Sequence, residues 1–150
     1  MGSGRPIEGI DAIAIQTPRN ESYEPGVEYL VADALRREAL RRGGPELIED
    51  PAAADLVLSG YVVHVRSLPR GFSSVVLALE YELTVGVVFQ ARRSDGTELP
   101  VDHSRMTETE RYLASADVEV QRKNKQEALR RVSAILATRL FDTVTSVLSP

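Results

Sequence analysis

Asp102, His103 and Ser104 are the three residue types of a hydrolytic triad, standing side by side in the chain. A triad needs its groups to converge on one point, whereas neighbours in an extended segment point to opposite faces. The run therefore reads as a coincidence of composition. The chain has one other histidine, His64, inside a stretch of strand character. Glu80 and Glu82 have the i, i+2 spacing that puts two carboxylates on one face of a strand, as an acid–base pair would require. The same spacing makes a solvated charged face, which is the expectation. With no cysteine, disulfides, thiol catalysis and thiolate metal sites drop out together. The sequence contains no HExxH helix, P-loop, dinucleotide glycine fingerprint or nucleophile elbow. Asp95-Gly96 is a hairpin turn signal and lacks the alternating oxygen ligands of a calcium loop. The residues predict neither catalysis nor a cofactor.

One constellation could bind a ligand. Arg66-Ser67-Leu68-Pro69-Arg70-Gly71-Phe72 sets two arginines, a proline and an aromatic at the expected tip joining two long strands. Arginine takes phosphate in a bidentate fork, and Leu68 or Phe72 could meet an acyl chain or an apolar wall. Arg66, Arg70 and Phe72 are thus the candidate contact residues. They equally suit a polar loop whose charges only keep it soluble. Arg92 and Arg93 flank the next turn, at the far end of the intervening strand, so the two basic pairs are expected to be separate. Arg36, Arg37, Arg41 and Arg42 crowd the end of a helix, where cations suit the dipole. A solvated helix end is expected there ahead of an anion site.

The elements that position these residues follow from periodicity. Ile10 to Ile15 is apolar on nearly both faces, as in a strand inside a sheet. Val27, Leu30, Val31, Ala34, Leu35 and Ala39 form one helical stripe, and Gly43-Gly44-Pro45 stops it. Glu46 to Asp50 suits a short strand, and a longer one runs from Leu56 to about Ser67. Gly60 inside it predicts a bulge or a close backbone approach. Val75 to Ala91 alternates throughout, implying a hairpin that projects past the helices. The return strand is placed at Glu98 to Thr107, on an edge because of Pro100. Leu129, Val132, Ile135, Leu136, Leu140, Val144 and Val147 make the stripe of a last helix, about Val118 to Leu148. The order β-α-β-(β)-β-β-α predicts an α/β (α+β) two-layer sandwich, a mixed β-sheet with two helices packed on one face. The other face stays uncovered.

The chain of 150 residues fits one domain, read as residues 10–150. Residues 1–9, opening MGSGRP, read as a flexible or expression-derived leader in place of a signal peptide. No window approaches the roughly 20 apolar residues of a membrane-spanning helix. A net charge of −4 argues against a nucleic-acid partner, which would call for a strongly basic face.

Five stretches resemble the LPS-assembly lipoprotein (LptE) family and together cover nearly the whole chain. They are IDAIAI, NESYEPGVEYLVADALRREALRRG, EDPAAADLVLSGYVV, EYELTVGVVFQARRSDGTEL, and MTETERYLASADVEVQRKNKQEALRRVSAILATRLFDTV. The ADLVLSG segment also looks like the TolB amino-terminal domain and CsgG-type secretion lipoproteins. The LptE resemblance implies an outer-membrane lipopolysaccharide assembly factor on the periplasmic face. It implies a lipid anchor on an upstream cysteine, an LptD β-barrel that the protein plugs, and contact with lipopolysaccharide. The alternative is a periplasmic envelope interaction domain of the TolB or CsgG type. The family's tryptophan-like position after the turn reads Leu99-Pro100 here.

Overall fold

The alternation in sequence divides the sheet into a covered and an uncovered side, and the computed structural model keeps that division. It describes residues 9–72, 79–101 and 106–148. Val75 and Leu77 of the alternating run, the 102–104 triplet and residues 1–8 of the leader lie outside the described residues. The elements are β1 (Ala12–Ile15), β2 (Arg19–Asn20), α1 (Val27–Arg42), β3 (Glu46–Ile48), a 3-10 turn (Pro51–Ala53), β4 (Leu56–Phe72), β5 (Leu79–Arg93), β6 (Met106–Leu113) and α2 (Val118–Leu148). The sheet order is β3-β1-β4-β5-β6, with β2 adding to β4 beyond β1. β1 is parallel to β3 and β4, while β4, β5 and β6 form an antiparallel meander. This is the expected mixed sheet.

The Ala-Asp step before β4 has a local job. The Asp55 carboxylate accepts from the amides of Asp11 and Ala12 at 2.9 and 3.0 Å, and its own amide donates to the Ala12 carbonyl at 2.9 Å. One aspartate thereby aligns the start of β1 with the start of β4. Gly60 meets the predicted close approach: a Cβ there would stand 2.2 Å from the Val88 carbonyl oxygen. The bulge falls slightly later, between Val62 and His64.

Both helices lie on one side. Ile13, Leu56, Leu58, Val62 and the odd-numbered residues Leu83 to Ala91 share one buried cluster with Val27, Val31 and Leu35 of α1 and with Leu129, Leu136, Leu140 and Phe141 of α2. Among the described residues, the second buried cluster is a small one of Ala14, Ala54 and Val57, with Ile48 against it.

Four expectations need correction. Arg66 to Phe72 is not a loop: β4 continues through it, pairing with β5 as far as Phe72 opposite Leu79. Two bulges, at Val62/His64 and Pro69/Gly71, let the strand absorb Pro69 and keep its pairing. The return strand begins at Met106, later than predicted; Glu98 makes one isolated bridge to Arg92, and buried Leu99 and Val101 tuck in without a ladder. Ile135 is 40% exposed, because the stripe of α2 rotates so that Ala128, Ala137 and Phe141 fill the core instead. Finally, Arg42 is not solvated. Its side chain is 3% exposed, held by Glu38 at 3.0 Å and Asp142 at 2.6 Å and lying over the Phe141 ring. A buried ion pair within α1 thus reaches α2 through the exposed carboxylate of Asp142, a link that periodicity alone does not reveal.

Candidate functional site

The antiparallel register fixes which side chains stand on the helix-free face. Successive rows read His64–Gly86–Thr107, Arg66–Thr84–Thr109 and Leu68–Glu82–Arg111 across β4, β5 and β6. Side chains alternate along a strand except across a bulge, so between the two bulges of β4 every second residue of the meander contributes to this face. It is polar, mixed in charge, and carries few large apolar groups.

Two ion pairs cross it. Arg70 reaches Glu82 at 3.1 Å, and Arg111 reaches Glu80 at 3.4 Å. The Arg70 hydrogen bond outweighs desolvation and, with the charges of Arg70 and Arg111, holds the Glu82 carboxyl below its ordinary value. Glu82 in turn raises the Arg70 guanidinium. Thr84 and Thr109 share a hydrogen bond at 3.0 Å between their hydroxyls. The glutamates predicted to form a solvated face are therefore on such a face, each with an arginine partner.

The sequence-predicted contact residues separate on this geometry. Arg66 is exposed on the helix-free face and makes no ion pair with any described residue. Arg70 is exposed too, but its charge is matched by Glu82. Phe72 ends β4, and its side chain lies outside the described part. Arg92 and Arg93 pair with Val57 and Leu56 at the other end of the long hairpin, as expected. The sequence reading missed Arg111 and Thr109. Their signal was present in the alternation of MTETERYL, obscured by starting the return strand eight residues too early.

The remaining surface offers little chemistry. A shallow groove of about 270 Å³ between the helices is lined by Leu30, Ala34, Arg37, Arg41 and Thr138 among others, beside the Glu38–Arg41 pair. Among the described residues, no three histidine, aspartate or glutamate side chains gather as metal ligands. No described helix is long and apolar enough to cross a membrane.

Solved structures share the architecture. A Caulobacter crescentus protein described as a lipoprotein superposes with a TM-score of 0.59 at 18% identity, covering 89% of this chain and 90% of that one. Lipoprotein B of Nitrosomonas europaea gives 0.54 at 14% identity, covering 91% and 83%. The protein CT253 of Chlamydia trachomatis gives 0.54 at 11% identity, covering 93% and 98%. At such identities these likenesses establish the fold. No curated protein matches the chain. The sequence profile of the LptE family, described as lipopolysaccharide-assembly, matches residues 10–144. That span takes in both helices down to Val144 and every strand, including the arginine- and threonine-bearing meander. The chain belongs to the LptE lipopolysaccharide-assembly family.

Proposed function

We propose that this protein is a non-enzymatic, lipid-anchored assembly factor at the periplasmic face of the outer membrane. In this reading residues 10–150 act as one domain that plugs an LptD-type β-barrel. The helix-free sheet face meets the barrel wall, and Arg66, Arg70 and Phe72 contact the wall or lipopolysaccharide. The observation that carries this is the three-strand face on which arginines, glutamates and threonines alternate, with no covering layer among the described residues. A barrel lumen is lined by polar side chains, and a face of this composition can dock there without burying a large unpaired apolar patch. Many dispersed contacts, with a few anchors, are what such a plug requires.

The test is charge reversal. Arg66→Glu together with Arg70→Glu is expected to reduce recovery of barrel or lipopolysaccharide in pull-downs of the full-length lipidated protein. The thermal transition should stay close to that of the unmodified chain, since both arginines are exposed. Raising the salt should mimic the reversal, because exposed charges act over about 8 Å at physiological ionic strength. Unchanged recovery of both would remove the arginines from the site and leave the rest of the sheet face.

A further inference from the structure

The sheet has lateral edges, and a free edge offers unpaired backbone groups to any strand that approaches. Two of them are blunted by their own sequence. β3 is three residues long. The outer side of β4 loses its neighbour after the Glu21 amide donates to the Val62 carbonyl, and beyond that it carries two bulges and Pro69, which has no N–H.

β6 has no such protection in its backbone. Its eight residues contain no proline and pair with β5 in continuous register. Three of the outward carbonyls are instead occupied from α2, while the outward amide of Thr109 donates to the Glu108 carboxylate at 3.2 Å. Asn124 Nδ2 donates to the Leu113 carbonyl at 2.9 Å, Arg131 Nη2 to that of Arg111 at 3.1 Å, and Arg139 Nη1 to that of Thr107 at 3.2 Å. The lengths match: 15 residues of helix rise about 22 Å at 1.5 Å each, and six residues of strand span about 20 Å. Both arginines also hold a glutamate on the helix side, Arg131 with Glu110 at 3.0 Å and Arg139 with Glu108. Each guanidinium fork thus serves a carboxylate and a backbone carbonyl at once, which a lysine ammonium cannot copy in the same geometry.

We propose that Asn124, Arg131 and Arg139 form a clamp that closes the β6 edge against pairing with β6 of a second copy of this chain. A second copy is the natural occupant because an edge is self-complementary about a two-fold axis. Centred on Thr109, antiparallel pairing sets Thr107 opposite Arg111, with no like charges on the helix-free face. On the helix side it would set Glu108 opposite Glu110, a repulsion that the paired arginines now neutralise. The clamp, more than the charges of β6 itself, keeps the edge shut.

Residues 1–150 contain no cysteine, which makes a direct test possible. Two-fold pairing brings Thr109 opposite itself at about 5.5 Å between Cα atoms, within disulfide range. In the full chain, Thr109→Cys alone should stay uncross-linked under mild oxidation. Adding Asn124→Ala, Arg131→Ala, Arg139→Ala, Glu108→Thr and Glu110→Thr should raise dimer cross-linking about tenfold or more, as expected for the loss of several hydrogen bonds. Should circular dichroism show that variant unfolded, Arg131→Lys with Arg139→Lys keeps the ion pairs and loses the carbonyl bonds. In the Thr109→Cys background it should still cross-link faster than the clamped chain. Equal rates with and without the clamp in the folded variant would overturn the proposal.

Discussion

Replacing Leu136 by alanine will lower the free energy of unfolding by about 2–5 kcal/mol, the range for a fully buried leucine. The same change one residue earlier, Ile135→Ala, will cost about 1 kcal/mol or less, as surface substitutions generally do. Leu136 is fully buried between α2 and the sheet, whereas Ile135 is 40% exposed on the outer side of the helix. Denaturant midpoints measured at equal m-values decide the contrast. Equal costs would mean that α2 sits rotated by about a third of a turn from the placement described above.

Glu38→Ala is the second large effect. Glu38 and Arg42 are both buried, and Arg42 would lose one of its two carboxylate partners. Removing a partner from a fully buried pair costs about 3–5 kcal/mol; with Asp142 still holding Arg42, about 2–3 kcal/mol is expected. The same carboxyl gives a pH signature. Burial pushes its titration upward, but hydrogen bonds and charges from Arg41 and Arg42 outweigh burial and hold it below its ordinary 4.5. A lowered native value means the contribution is fully present above about pH 4.5 and fades as acid protonates the folded-state carboxyl. The Glu38→Ala chain should therefore lose less stability between neutral and acidic pH than the unmodified one. Parallel slopes would remove Glu38 as the source.

Periodicity made the elements legible. The stripe from Val27 to Ala39 and the stop at Gly43 marked α1, and the last helix, expected at about Val118 to Leu148, lies there. The alternation of the long strand also announced which face would lack helices. What it could not give was the path of the chain where local and tertiary preferences compete. Pro69 and Gly71 read as a loop, yet β5 supplies a partner for the whole of β4, and bulges take up the misfit. Arg42 reads as a helix-end cation, yet its acidic partner Asp142 is 100 residues away in sequence. Asn124, Arg131 and Arg139 read as the polar side of a helix, because nothing local marks them as reaching a strand edge. Sites made of backbone carbonyls leave no trace in side-chain patterns.

In the proposed plug, the helix-free sheet face is turned toward the barrel. Site-specific photo-cross-linking in cells tests it most directly, with a cross-linking residue placed singly at Thr84 or Thr109 on that face and at Asp33 or Ile135 on the helix layer. A barrel adduct is expected from Thr84 and Thr109, and a much weaker one from Asp33 and Ile135. Capture of the barrel from the helix positions, with none from Thr84 or Thr109, would contradict it.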